Sequence, residues 1–282
     1  TSVSKRFATA AAVRAATLRG QSAVAQAPSP GQEASTAAHA AAPEDVLVLP
    51  RSVKGRPLVR VGVRVLPYAP ASLVVADTVR VIGRDNACRG TRRLALPEGL
   101  EAIGAHCFCS RVLEGPVPIP ASVRSIGEGS FEYAVCRLEH TGTVVHVSAD
   151  QLLTCFLTDA PDGVPFDYAR YDELLRSGKN LPDRLGAVLH RLTVPYRLED
   201  TTRAALVAYL REHEREAQQR VAQEGERAMV EALVRDGFID NRTFERQIEL
   251  LRACNRTDCV LYLMEQHREQ ARPSSARERF AL

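Results

Sequence analysis

Aliphatic residues recur at a fixed spacing between residues 45 and 160, and the pattern predicts a solenoid of short stacked repeats. About five copies align on an aliphatic residue that is followed by a small one. The aligned pairs are Val61-Gly62, Ile82-Gly83, Ile103-Gly104, Ile126-Gly127 and Val147-Ser148. Successive pairs are 21, 21, 23 and 21 residues apart. A nearly constant period of this size is typical of units that stack into one elongated domain.

Two further columns of apolar residues keep the same register and are expected to form the core. Five residues after each aliphatic anchor stand Leu66, Ala87, Phe108, Phe131 and Leu152. Three residues before each anchor stand Leu58, Val79, Leu100, Val123 and Val144. Because one unit is too small to bury its own apolar side chains, stacking is expected to join the columns into one core. Gly127 is expected to supply a turn conformation that other residues resist.

After residue 160 the spacing of apolar residues becomes helical. Helices are predicted over residues 167–175, 182–192, 201–223, 226–235, 240–253 and 257–267. The predicted fold class is therefore α+β: a short β-solenoid over residues 45–160, followed by an all-α helical-repeat domain over residues 161–270. Residues 271–282 are predicted to be a polar tail.

Residues 1–44 are rich in Ala, Ser and Gln, with four basic residues and no acid before Glu33. This composition predicts a disordered or linker arm, and an organelle transit peptide is the alternative. Since the sequence begins with Thr1 rather than Met, we expect the natural N-terminus to lie upstream. The predicted location is the cytoplasm, with a surface-displayed or secreted protein as the alternative.

The overall composition is that of a globular protein and narrows the classes of partner. A formal charge of +3 on 282 residues, with basic residues spread among acids, argues against nucleic acid. Aromatic residues make up 5% and tryptophan is absent, which also argues against base stacking. Seven irregularly spaced cysteines predict no disulfide framework and favour a reducing compartment. No stretch approaches the roughly 20 apolar residues that span a bilayer.

The repeated phrase carries a family resemblance. Ile-Pro-Ala-Ser-Val-Arg-Ser-Ile-Gly-Glu-Gly-Ser-Phe, residues 119–131, resembles the BspA-type leucine-rich repeat that is common in bacterial proteins. Residues 166–175, 194–198 and 237–251 resemble the helical region that follows such repeats in proteins of gut Firmicutes. The resemblance covers about residues 46–267. It implies recognition of a protein or surface by a scaffold, and it provides no catalytic residues.

Charged residues are expected to form a row on the exposed strand face. One residue after the Leu58 column stand Val59, Arg80, Glu101, Arg124 and Val145, and Arg60 and His146 follow the two valines. Stacking would place members of the row about 4.8 Å apart. The row is either a recognition stripe or a ladder of surface salt bridges. The candidate binding residues are Arg60, Arg80, Glu101, Arg124 and His146.

Metal binding and catalysis have little support in the sequence. His106, Cys107, Cys109, Cys136 and His140 lack the C-x₂-C pairs of common zinc sites. Cysteine is often buried and suits a repeat core, so structural roles are predicted for these thiols. There is no G-x-S-x-G, H-E-x-x-H, Walker or G-x-G-x-x-G motif. We predict no cofactor and no enzymatic activity.

Together these patterns predict a non-catalytic scaffold for protein–protein interaction. Binding is expected to use the exposed strand face of the solenoid and the junction between the solenoid and the helical region. A cell-surface adhesion or structural module is the alternative. The expected partner is a protein, and neither nucleic acid nor a membrane span is expected.

Overall fold

The computed structural model describes residues 45–66, 70–147, 155–160, 162–178, 181 and 183–270. The predicted arm (residues 1–44), the polar tail (residues 271–282) and the fifth copy's Ser148 and Leu152 lie outside the described residues. The chain divides into two compact units between Tyr171 and Asp172. The first unit is a β-solenoid and the second is helical, which confirms the predicted α+β fold class.

The solenoid is built from short strands that alternate between two faces. Four of them form a parallel sheet, sheet A, in the order β10, β8, β6, β4. Three others form a parallel sheet, sheet B, in the order β1, β5, β7. The strands are β1 (Val46–Val48), β2 (Ser52–Val53), β3 (Arg56–Pro57), β4 (Arg60–Val61), β5 (Ser72–Val74), β6 (Val81–Ile82), β7 (Arg93–Ala95), β8 (Ala102–Ile103), β9 (Val117–Ile119), β10 (Ser125–Ile126), β11 (Val135–Leu138) and β12 (Thr143–His146). Strands β2 and β3 form a hairpin inserted into the first turn.

The predicted columns form the core between the two faces. The anchors of the first four copies are the inward residues of sheet A and are at most 2% exposed, as in Ile103. The first four members of the second column, beginning with Leu58, are at most 4% exposed. Phe108 and Phe131 stack with ring centroids 5.4 Å apart. In the second copy Cys88 is buried, whereas the predicted core residue Ala87 is only half-buried.

The fifth copy does not follow the predicted register. Strand β12 pairs antiparallel with β11, in a third sheet of order β12, β11, β9. A tight turn at Gly142 (φ +72°) reverses the chain there, and Val145 is buried in that sheet rather than placed beside β10. Beside β10 the backbone N–H of Ile126 instead donates to the carbonyl of Leu157 at 2.9 Å. The Phe131 ring likewise meets Phe156 at 5.8 Å.

The second unit is all-helical, and the chain passes the boundary between the units within the helix that begins at Tyr168. The helices are α1 (Tyr168–Ser177), α2 (Arg184–Thr193), α3 (Asp200–Glu212), α4 (Glu214–Glu224), α5 (Arg227–Arg235), α6 (Phe244–Ala253) and α7 (Thr257–Gln270). Helix α2 packs against α3, α4 and α5, and α7 packs against α5 and α6. The predicted single helix over residues 201–223 breaks at His213, whose ψ of 32° ends α3. Leu210 before the break and Ala217 after it are both buried.

Candidate functional site

A groove runs along the outer face of sheet A, across four successive turns of the solenoid. Its volume is about 570 Å³. The floor follows one residue from each strand, and these residues are partners in the strand register: Arg60, Val81, Ala102 and Ser125. Three of the four are uncharged, so the floor is apolar or weakly polar over most of its length.

The glycines that follow each anchor also line the floor. A Cβ added to Gly104 would lie 2.7 Å from Arg84 Cα and 2.7 Å from the carbonyl carbon of Gly83. A Cβ on Gly83 would lie 2.8 Å from the Gly62 carbonyl carbon in the turn before. The glycines are therefore required because successive turns touch backbone to backbone. The expectation that Gly127 supplies a special turn conformation is wrong, because its φ is not positive. A side chain is excluded there for a different reason: an added Cβ would collide with the backbone of Ala105.

One wall of the groove is formed by the residue after each glycine. These residues are Val63, Arg84, Ala105 and Glu128. Arg84 is 70% exposed, and its Nε lies 3.8 Å from Oδ2 of Asp85. The same carboxylate oxygen lies 3.4 Å from Nε of Arg64. One acid is therefore shared by two guanidinium groups, and the wall keeps an excess of positive charge at its first end.

Below the floor, a column of polar side chains ties each turn to the one before. Asn86 donates to the Gly62 carbonyl at 2.9 Å and accepts from the backbone N–H of Leu66 at 2.8 Å. One turn later, the Cys107 thiol donates to the Gly83 carbonyl at 3.2 Å. Ser130 then donates to the Gly104 carbonyl at 2.8 Å. These bonds hold the glycine backbone in place, and burial raises the pKa of the Cys107 thiol to about 12.

The predicted charged row has the expected geometry from Val59 to Arg124, and it does not continue to Val145. Backbone N–H groups of Arg80, Glu101 and Arg124 each donate to the preceding member's carbonyl, at 2.8, 2.7 and 2.8 Å. The row therefore begins at Val59, whereas Arg60 belongs to the groove floor, where it pairs with Val81. His146 ends β12, which reverses direction and lies in a different sheet. Arg60 and His146 therefore do not share one row with the other three candidates.

The salt-bridge ladder is not formed in the part of the chain that the structure describes. Arg80, Glu101 and Arg124 make no ion pair with another described residue. Arg124 instead donates to the Gly163 carbonyl at 3.3 Å. None of the three lines the groove, and Arg60 is the only one of the five candidates that does. The binding role of all five candidates stays a prediction.

Sequence reasoning missed Arg84 and Glu128, the two charged residues of the wall, which lie two turns apart. A signal for them was present, because each directly follows the glycine of its unit and both therefore occupy the same position of the repeat. The expectation that basic residues are spread among acids also does not hold within the repeats. Residues 51–93 contain ten Lys and Arg against two Asp, whereas residues 94–147 contain three Arg against six Glu.

The described ranges hold no group of three or more His, Cys, Asp or Glu side chains placed to bind a metal ion. Cys107 and Cys136 are fully buried in the solenoid core, as predicted for structural thiols. Burial raises the pKa of the Cys136 thiol far above its usual range. Within the same ranges, every helix is too short or too polar to cross a bilayer.

Comparisons with known proteins place few limits on the function. No family model matches the chain, and no curated protein matches it. Among solved structures, the chain is similar to a leucine-rich repeat protein of T. pallidum, TpLRR, with 26% identity and a TM-score of 0.24. The match covers 33% of this chain and 56% of that one. Since so partial a superposition says nothing about function, the function is inferred from the groove itself.

Proposed function

We propose that this protein is a non-catalytic interaction scaffold that holds an extended segment of a partner protein in the groove on sheet A. The observation that supports the proposal is the floor, in which a glycine from each turn lies beside the small residues Ala102 and Ser125, beneath a groove of about 570 Å³. This volume lies in the range of roughly 300–1,000 Å³ that ligand sites have. The glycines bring the floor to backbone level, so that a bound chain can approach closely.

The length of the groove fits a short stretch of peptide. Four strands stacked about 4.8 Å apart span about 14 Å, which equals about four residues of extended chain. Because the solenoid is built before binding, its ordering adds little to the entropy cost of association. The BspA-type assignment, the junction as a second binding surface, and the adhesion alternative stay predictions.

A groove-filling variant tests the proposal. A library of random linear peptides is displayed on phage and selected on the intact chain, and the selected peptides are then measured by fluorescence polarisation. Ala102→Trp places an indole on the floor, so we expect it to weaken binding by about tenfold or more. Val74→Trp is the matched control, because Val74 lies on β5 in sheet B and is 37% exposed.

Two results would contradict the proposal. Selected peptides that bind the Ala102→Trp and Val74→Trp variants with equal affinity would place the binding surface elsewhere. Failure to select any peptide that binds the wild-type chain would remove the groove as a peptide site. Circular dichroism of each variant establishes that the fold is retained.

A further inference from the structure

We infer that the groove reads the charge polarity of its ligand: it takes an extended segment with acidic side chains at one end, small side chains in the middle and basic side chains at the other end. The inference rests on the proposed function and adds the chemistry of the partner. It follows from the order in which charged residues stand along the groove.

The first two turns supply the positive end. Arg60 lies on the floor at the first strand, and Arg84 lies on the wall one turn later. Arg64 stands beside them and shares Asp85 with Arg84. The two guanidinium groups of Arg64 and Arg84 against the one carboxylate of Asp85 leave a positive excess, and Asp85 is only 23% exposed whereas Arg84 is 70% exposed. A ligand can therefore contact the exposed Arg84 side chain more readily than the largely buried carboxylate of Asp85.

The fourth turn supplies the negative end. Glu128 lies on the same wall as Arg84, two turns further along, and is exposed. Its carboxylate forms no ion pair with any residue that the structure describes. Two steps of about 4.8 Å place it about 10 Å from Arg84 along the stacking direction, which equals about three residues of extended chain.

The middle of the groove carries no charge to compete with the two ends. Ala102 and Ala105 line it at the third turn, together with Gly104. Because these side chains are short, a ligand backbone that carries small residues such as Ser, Ala or Gly can approach the floor closely. Charge at the ends then decides which ligands bind, because opposite charges attract at one end and like charges repel at the other.

Three capped synthetic peptides of about six residues test the inference. All share a serine–alanine middle; the polar peptide has glutamates at one end and lysines at the other, the acidic peptide has glutamates at both ends, and the basic peptide has lysines at both. Capped termini remove the terminal charges. We expect the intact wild-type chain to bind the polar peptide about tenfold more tightly than either of the others, measured by fluorescence polarisation at low salt.

Reversing the charge of one end should change the preference. Glu128→Arg makes both ends of the groove positive, so the acidic peptide should gain about tenfold and the polar peptide should lose affinity. Glu98→Arg is the matched control: it changes the net charge equally, and Glu98 is exposed but does not line the groove. We expect this control to keep the wild-type order of the three peptides.

The inference is overturned if the three peptides bind the wild-type chain equally or not at all, or if Glu128→Arg and Glu98→Arg shift the order alike. These failures are separable from failure of the proposed function. If phage-selected peptides still bind and remain sensitive to Ala102→Trp, the groove binds peptides without reading charge polarity. If those peptides also fail, both proposals fall.

Discussion

Arg191 and Asp172 form a bidentate ion pair inside the helical unit. Nε of Arg191 donates to Oδ1 of Asp172 at 2.7 Å, and Nη2 donates to Oδ2 at 3.0 Å. Nη2 also donates to the Tyr196 carbonyl at 2.9 Å. Arg191 is completely buried, so its charge depends on these partners for compensation.

Removal of Asp172 should therefore strongly destabilise the helical unit. We expect Asp172→Ala to lower the free energy of unfolding by about 3–5 kcal/mol, because it removes the carboxylate that forms a bidentate pair with a buried guanidinium. The exposed Asp200, whose carboxylate lies 3.9 Å from Arg203, is the matched control. Asp200→Ala should cost less than about 1 kcal/mol. Equal losses in the free energy of unfolding for the two variants, measured by urea unfolding, would show that the buried ion pair contributes no more to stability than the exposed one.

The glycine column should tolerate no side chain. Gly104→Ala places a Cβ 2.7 Å from Arg84 Cα, and because both atoms are fixed to the backbone, neither can move aside. We expect a loss of about 3 kcal/mol or more in the free energy of unfolding. Gly115→Ala is the control: its φ is +65° but nothing lies within 4 Å of the added Cβ.

That control separates the two reasons for which a glycine is needed. Gly115→Ala suffers only backbone strain, which costs about 1–2 kcal/mol. A smaller loss at Gly104 than at Gly115 would contradict the claim that backbone contact between turns decides the first position.

Asn86 should be the most sensitive member of the polar column. Asn86→Ala leaves the Leu66 N–H and the Gly62 carbonyl without their amide partner. It also removes one of the two side-chain donors of the Gly83 carbonyl, which keeps the Cys107 thiol. Since each buried group that loses its hydrogen bond costs about 1–3 kcal/mol, we expect a total of about 3 kcal/mol or more. The exposed Asn241 is the control, and Asn241→Ala should change stability by less than about 0.5 kcal/mol. Similar unfolding midpoints for the two variants would refute this role.

The thiols of the solenoid core should resist alkylation in the native protein. Burial raises the pKa of both Cys88 and Cys107 to about 12. At pH 8 only about one thiol in ten thousand is then ionised at each position, and the thiolate is the reactive form. We expect iodoacetamide to modify the partly exposed Cys254 first, and Cys88 and Cys107 only after denaturant is added. Peptide mass spectrometry measures the order, and early modification of Cys107 would contradict it.

The repeats were predictable because their core is periodic. Ile82, Ile103 and Ile126 recur 21 and 23 residues apart, and each is an inward residue of sheet A. The fifth copy was misplaced because Val147 keeps the spacing, while the turn at Gly142 sends β12 back along β11. Spacing reports which residues are buried, and it does not report the direction in which a strand runs.

The groove was less predictable than the fold. The charged row was sought on the residues before each anchor, and the structure places the groove wall on the residues after each glycine. Contact between the backbones of residues far apart in sequence, such as Gly104 and Arg84, leaves no mark in a hydrophobic pattern.

The backbone contact at each glycine has a consequence for how this surface can evolve. Because neighbouring turns already touch, the distance between them cannot be tuned by substitution. Duplication of one whole unit would lengthen the groove by about 4.8 Å, or about one and a half residues of extended ligand. Insertion of part of a unit would instead break the glycine column and close the groove at that point. Gene duplication can therefore change the length of the recognised segment only in whole steps.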